Sequence, residues 1–113
     1  MNYTYAYPRP MVTVDTLLLA KSFTTEILLI QRKNDPFKEK WALPGGFVDM
    51  NEDLLNAAKR ELREETGVEI NQLEQFRTYG KPGRDPRGRT ISIVFISIVE
   101  KTLPAIGMDD ALQ

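Results

Sequence analysis

Glu61, Glu64 and Glu65 fall within the stretch "RELREETG" at residues 60–67. On a helix, spacings of three and four residues bring all three carboxylates to one face. Like charges so placed repel by about 0.2–0.5 kcal/mol per pair, so an isolated helix would be more stable without them. A hard divalent cation such as Mg²⁺ resolves the conflict, because it takes several oxygen ligands and a rigid helix can supply them together. Arg60 beside them can neutralise and orient one carboxylate. Gly46, having no side chain, lets its backbone carbonyl approach the same ion. A solvated acidic face is the alternative; it suits a single glutamate pair better than three glutamates flanked by an arginine and a glycine.

Composition narrows the chemistry further. The 113 residues contain neither cysteine nor histidine, which excludes disulfides, thiol nucleophiles, imidazole bases and zinc sites built on Cys or His. Catalysis must then run on carboxylates, Lys, Tyr, hydroxyls or a metal held by oxygen. A net charge of −1 and a pI near 5.5 argue against a nucleic-acid or anionic-membrane partner, either of which calls for a basic surplus. The start, "NYTYAYPRP", lacks the charged and apolar regions of a signal peptide, and an apolar run such as Leu17–Ala20 is too short to span a bilayer. The expected location is cytoplasmic.

The elements that position these residues follow from periodicity. The length suits one domain over 1–113, beginning with an arm at 1–10 whose alternating Tyr3, Tyr5 and Tyr7 suit an edge strand, while Pro8 and Pro10 bar it from a sheet interior. The runs "MVTVDTLLLA" and "EILLIQR" around "KSFTT" predict a hairpin. "NDPFKEKWALPGG" reads as loop. Over 51–66, Leu54, Leu55, Ala58 and Leu62 form one apolar stripe, predicting an amphipathic helix capped by Asn51 or Asp53 and ended by Gly67. "LEQFRTYG" and "RTISIVFISIV" predict two more strands, the second apolar on both faces and therefore central.

With its loop, the helix reads "GGFVDMNEDLLNAAKRELREETGV", and this stretch, residues 45–68, resembles the Nudix box, Gly-x5-Glu-x7-Arg-Glu-U-x-Glu-Glu-x-Gly-U with U a bulky aliphatic. Gly46, Glu52, Arg60, Glu61, Leu62, Glu64, Glu65, Gly67 and Val68 all match. The resemblance implies an α/β (α+β) fold, the Nudix α/β/α sandwich with a mixed sheet. It also implies hydrolysis of a nucleoside diphosphate linked to another group, with Mg²⁺ or Mn²⁺ as cofactor. By the same resemblance Gly46, Glu61, Glu64 and Glu65 bind metal, Glu52 binds metal or supports the ligands, and Arg60 holds a glutamate in place. Glu64 is either a ligand or the general base.

Beyond the box, "WALPGGFV" and "YGKPGRDPRGRTISIVF" are similar to the ADP-ribose pyrophosphatase branch, in which a proline often follows the box by some fifteen residues; Pro82 stands fourteen after Val68. The implied substrate is nucleotide-sugar-like, most specifically ADP-ribose cleaved to AMP and ribose 5-phosphate. A nucleoside triphosphate pyrophosphatase and a non-catalytic ADP-ribose sensor are the competing readings. Lys81, Arg84, Arg87 and Arg89 suit phosphate, with Arg84 and Arg87 as the named contacts, or form a solvated loop. Trp41 either stacks on a base or ribose or packs in the core, and Tyr79 is a further substrate contact. Asp15, among apolar strand residues, is a buried carboxylate or a substrate contact. Asp109, in "IGMDDALQ", binds ribose or belongs to an unstructured tail. Relative to the family the chain is C-terminally shortened, which is expected to leave a sheet face with Ile91, Ile93 and Phe95 uncovered; either a second protomer covers it or the chain is a fragment, and the expectation is a homodimer with the tyrosine arm as an exchanged element.

Overall fold

The computed structural model describes residues 3–33 and 38–100. Its elements are β1 (Met11–Lys21), β2 (Thr25–Ile27), β3 (Ile30–Gln31), β4 (Trp41–Ala42), β5 (Gly45–Phe47), α1 (Leu54–Thr66), β6 (Glu74–Tyr79) and β7 (Thr90–Glu100). Strands run in the order β2-β1-β7-β6, with β5 also paired to β1; β3 and β4 form a separate two-stranded ribbon. The long strands β1 and β7 are parallel over their full length, from Met11 opposite Thr90 to Lys21 opposite Glu100. All other pairings are antiparallel. The architecture is the expected mixed α+β arrangement with a mixed sheet, and one helix lies among the described residues.

β1 and β2 form the hairpin predicted from the apolar runs, and β7 takes the central place that its two apolar faces require. The helix begins at Asp53, whose Oδ2 accepts a hydrogen bond from the Leu55 N–H at 3.2 Å. It ends at Gly67, in the left-handed region at φ 76°. Ala57, Ala58 and Leu62 are its buried apolar residues and pack with Val14, Leu18, Ile93 and Phe95. Two adjacent alanines let the helix axis approach the sheet closely while Leu62 fills the space below.

Two expectations need correction. The loop read over residues 34–46 contains short strands: β5 pairs Gly45, Gly46 and Phe47 with Asp15, Val14 and Thr13. Backbone hydrogen bonds to β1 overrule the local preference of Pro and Gly for turns. Ile93 and Phe95 are buried, and with the half-buried Ile91 they belong to the helix-facing core, not to an uncovered face. Alternation put these three on one side of β7; it could not say which side the helix takes. The less covered apolar residues lie on the other face, where Leu17 and Leu19 of β1 stand beside Ile96 and Ile98 of β7. Ile98 is 56% exposed. The tyrosine arm forms no strand over its described residues. Its Tyr3 and Tyr5 rings stack at 6.2 Å, with the Arg9 guanidinium 3.8 Å from the Tyr5 centroid.

Candidate active site

Arg60 is the hub of the acidic helix. Its Nε and Nη2 donate to both oxygens of Glu52, at 2.6 and 2.9 Å, in the fork geometry that matches guanidinium to carboxylate. Nη1 reaches Glu61 Oε2 and Glu64 Oε1, both at 3.1 Å, and Nη2 also donates to the Phe47 carbonyl at 3.1 Å. One guanidinium therefore touches three of the four box glutamates. The fork holds the Glu52 carboxyl below the usual carboxylate range and raises the Arg60 guanidinium above its ordinary value. Burial pushes Glu61 up, against the opposing pull of Arg60.

Glu52 is thus engaged on both oxygens, which fits a supporting role more closely than ligation. Glu61 lies largely buried, while the Glu64 side chain is 53% exposed. Glu65 turns toward β5, where its Oε1 accepts the Gly45 N–H at 2.6 Å. Among the described residues no three carboxylates stand close enough together to ligate one ion as their side chains are placed. Glu52, Glu61 and Glu64 at hydrogen-bond distance and Asp49 at 3.8 Å nonetheless set four carboxylates around a single guanidinium, which leaves a surplus of negative charge and a set of hard oxygen donors.

β5 separates this cluster from a second region. A Cβ on Gly46 would come within 2.4 Å of Glu61 Oε2, so the glycine admits the carboxylate against the backbone. A Cβ on Gly45 would point to the other face, meeting Asp15 Oδ1 at 2.3 Å and the Val14 carbonyl at 2.2 Å. The two glycines make a thin wall, with Glu61 on one side and Asp15 on the other.

On the Asp15 side opens a cleft of about 310 Å³ lined by Thr13, Asp15, Arg32, Glu65, Arg84 and Arg87 among others. Two of the loop cations named from sequence, Arg84 and Arg87, do reach it. Arg84 Nη2 is anchored on Ser92 Oγ at 2.8 Å and on the Thr90 carbonyl at 3.2 Å. Ser92 Oγ in turn shares a 2.6 Å hydrogen bond with Thr13 Oγ1. Arg87 makes a fork to Asp85 at 3.1 and 2.8 Å and lies 4.8 Å from the Phe47 ring centroid. That fork holds the Asp85 carboxyl down at about 2.

Other expected contacts fall elsewhere. Arg89 donates to the Gly80 carbonyl, a loop-bracing contact. Trp41, on β4, and Tyr79, at the end of β6, are partly exposed, and neither lines the cleft, although Ala42 and Leu43 next to Trp41 do. Asp109 lies outside the described residues. The sequence reading missed Asp85 and Phe47. Asp85 sits two residues before Arg87, the spacing of a local ion pair, whereas nothing local marks Phe47, whose ring touches Arg87 while its carbonyl accepts from Arg60.

Burial raises the Asp15 carboxyl to about 6, despite the opposing attraction of Arg84, Arg87 and Arg32. The native state therefore holds a proton on Asp15 at pH values where the unfolded chain has lost it, so stability drains away as pH rises from about 4 through 6. Above that window the ionised, desolvated group destabilises the fold by up to about 3 kcal/mol, from the 1.36 kcal/mol that each pH unit represents. Asp15→Asn is accordingly expected to melt higher than wild type at pH 8 and to lose the advantage near pH 4. Equal melting curves at both pH values would contradict this.

A mixed sheet thus carries an arginine-bridged acidic helix on one face and a cleft lined by three arginines and three carboxylates on the other. The chain belongs to the NUDIX family: the NUDIX domain matches residues 9–112. It is 48% identical over 90 residues to the ADP-ribose pyrophosphatase of Methanocaldococcus jannaschii, covering 80% of this chain and 52% of that protein. It is 43% identical over 96 residues to the ADPR responsive transcriptional repressor NtrR of Acinetobacter baylyi, covering 82% and 38%. The chain thus spans about half or less of the length of these curated relatives. Among solved structures, the NUDIX domain of Shewanella oneidensis NrtR complexed with ADP ribose superposes with a TM-score of 0.84 at 32% identity, over 98% of this chain and 77% of that one. A bifunctional NMN adenylyltransferase/ADP ribose pyrophosphatase from Francisella tularensis, complexed with AMP and Mn ion, gives 0.78 at 35% identity, over 96% and 34%. Among the described residues no helix is long and apolar enough to cross a membrane.

Proposed function

We propose that the chain hydrolyses the pyrophosphate linkage of a nucleoside diphosphate derivative, ADP-ribose first, to AMP and ribose 5-phosphate. The observation that supports this is the meeting of the acidic cluster and a cleft lined by Arg32, Arg84 and Arg87 across the Gly45–Gly46 wall. Glu61, Glu64 and Glu65 would hold Mg²⁺ or Mn²⁺, with the Gly46 carbonyl beside them; the surplus of carboxylates over Arg60 and the all-oxygen donor set fit a hard cation. Such ions, when bound, supply the charge that offsets a pyrophosphate and activates water. Arg60 and Glu52 fix the ligand side chains, and Arg84 and Arg87 bind phosphate oxygens. Glu64 would take the proton of an attacking water; its exposure, the greatest among the three glutamates that Arg60 contacts, supports that reading.

A second reading, a sensor that binds ADP-ribose without turnover, is favoured by the likeness to the NtrR repressor. Calorimetry with ADP-ribose beside a turnover assay separates the two. Binding with turnover supports the hydrolase, whereas tight binding with no product supports the sensor. We also infer a homodimer through the face bearing Leu17, Leu19, Ile96 and Ile98, because burying that apolar area contributes roughly 25 cal/mol per Å². Light scattering should give twice the chain mass; a monomer at all concentrations removes the dimer.

A further inference from the structure

Three acidic and three basic side chains line the cleft: Asp15, Glu65 and Asp85 against Arg32, Arg84 and Arg87. Their hydrogen bonds are distributed unevenly. Asp85 is held in its fork by Arg87, and Glu65 accepts the Gly45 N–H. Thr13 and Ser92 are bonded to each other, and Ser92 also takes Arg84. Asp15 differs. Its environment is burial plus the fields of charged neighbours, with Arg84 acting most strongly, and none of the hydrogen bonds just described goes to its carboxylate. Gly45 keeps the space beside it clear, since any Cβ there would meet Oδ1 at 2.3 Å.

A carboxylate in the midst of three guanidiniums is a poor arrangement for a site meant to gather as many phosphates as fit. It weakens the field that a phosphate feels from Arg84, and a further anionic oxygen entering beside it is repelled. Hydroxyl groups meet the opposite situation, because an ionised carboxylate accepts hydrogen bonds from two neighbouring hydroxyls. Discrimination between ligands often rests on such a repulsive element as much as on attraction.

We propose that Asp15 is a specificity residue that disfavours a third phosphate in this cleft and receives hydroxyls of an uncharged sugar carried on the distal phosphate. The proposal rests on reading the cleft as the site of a nucleoside diphosphate derivative and adds which derivatives it takes. Sugar diphosphates are accepted, and nucleoside triphosphates and free diphosphates are turned away by the same carboxylate.

The test compares wild type, Asp15→Asn and Asp15→Ser with ADP-ribose, ADP and ATP. It reads kcat/KM where there is turnover, and calorimetric Kd in Ca²⁺ in every case. The Asp15→Asn preference for ADP-ribose over ATP should fall by about tenfold or more, equivalent to 1.4 kcal/mol, with the change appearing as tighter binding of ATP and ADP. Asp15→Ser should move the ratio in the same direction. A ratio within twofold of wild type in both folded variants overturns the proposal. If only ADP-ribose loses affinity while ATP and ADP are unmoved, Asp15 contacts sugar but does not repel phosphate, and the exclusion is overturned. Binding without turnover would sink the hydrolase reading alone, since the Kd ratios still decide the role of Asp15. No nucleotide binding at all would sink both.

Discussion

Glu64→Gln is expected to lower kcat on ADP-ribose by about 10²–10⁴-fold, the range for removing a positioned proton acceptor, while leaving the melting temperature close to wild type. The side chain is 53% exposed and makes one 3.1 Å contact with Arg60, which a glutamine carbonyl can also accept. No core contact is lost, so a folding defect would be unexpected. The two roles open to Glu64 separate in the same variant. A ligand role predicts weakened Mn²⁺ binding and partial recovery at high metal. A base role predicts unchanged Mn²⁺ affinity and no recovery at high metal. A fully active variant would remove Glu64 from the machinery.

The second large effect comes from the glycine wall, where neighbouring substitutions are expected to diverge. In Gly46→Ala the new methyl meets the end of the Glu61 side chain, at 2.4 Å from Oε2, and that side chain can swing away without moving backbone. The fold should survive. Glu61 would be displaced by about an ångström or more, and a misplacement of that size costs roughly 10² in rate. In Gly45→Ala the methyl instead meets the Val14 carbonyl at 2.2 Å and Asp15 Cα at 2.8 Å, and backbone paired in a sheet cannot yield. That variant should lose about 1–3 kcal/mol of stability, as overpacked sites do. Melting curves and kcat on the two proteins decide the matter. Equal loss of stability in both would mean that Glu61 is not the group Gly46 accommodates.

The helix and its ends were legible in the sequence, because a 3.6-residue apolar period, a capping aspartate and a terminal glycine all act locally. The central place of β7 followed from its two apolar faces. β5 was not legible: Gly45, Gly46 and Phe47 carry turn-like composition, and only pairing with Thr13, Val14 and Asp15 makes them a strand. The side of the sheet that the helix covers was also misread, since alternation groups Ile91, Ile93 and Phe95 without fixing their direction. Within the site, the box glutamates, Arg84 and Arg87 could be named from spacing and charge. Phe47 could not, for its role arises from contacts with Arg60 and Arg87 that are distant in sequence. The cleft-facing position of Asp15 depends on its register against Gly45, which no window of sequence displays.

The proposed function assigns Glu61 and Glu64, with Glu65 at the cleft edge, to a cation, and the arginines and Asp15 of the cleft to the substrate. The most direct measurement is chromatographic product analysis after incubating the purified chain with ADP-ribose and Mg²⁺ or Mn²⁺, with and without chelator. AMP and ribose 5-phosphate are expected in equal amounts, abolished by chelator and by Glu64→Gln. Intact ADP-ribose under every metal condition, from a protein shown by calorimetry to bind it, would contradict the hydrolase reading and leave the site a receptor.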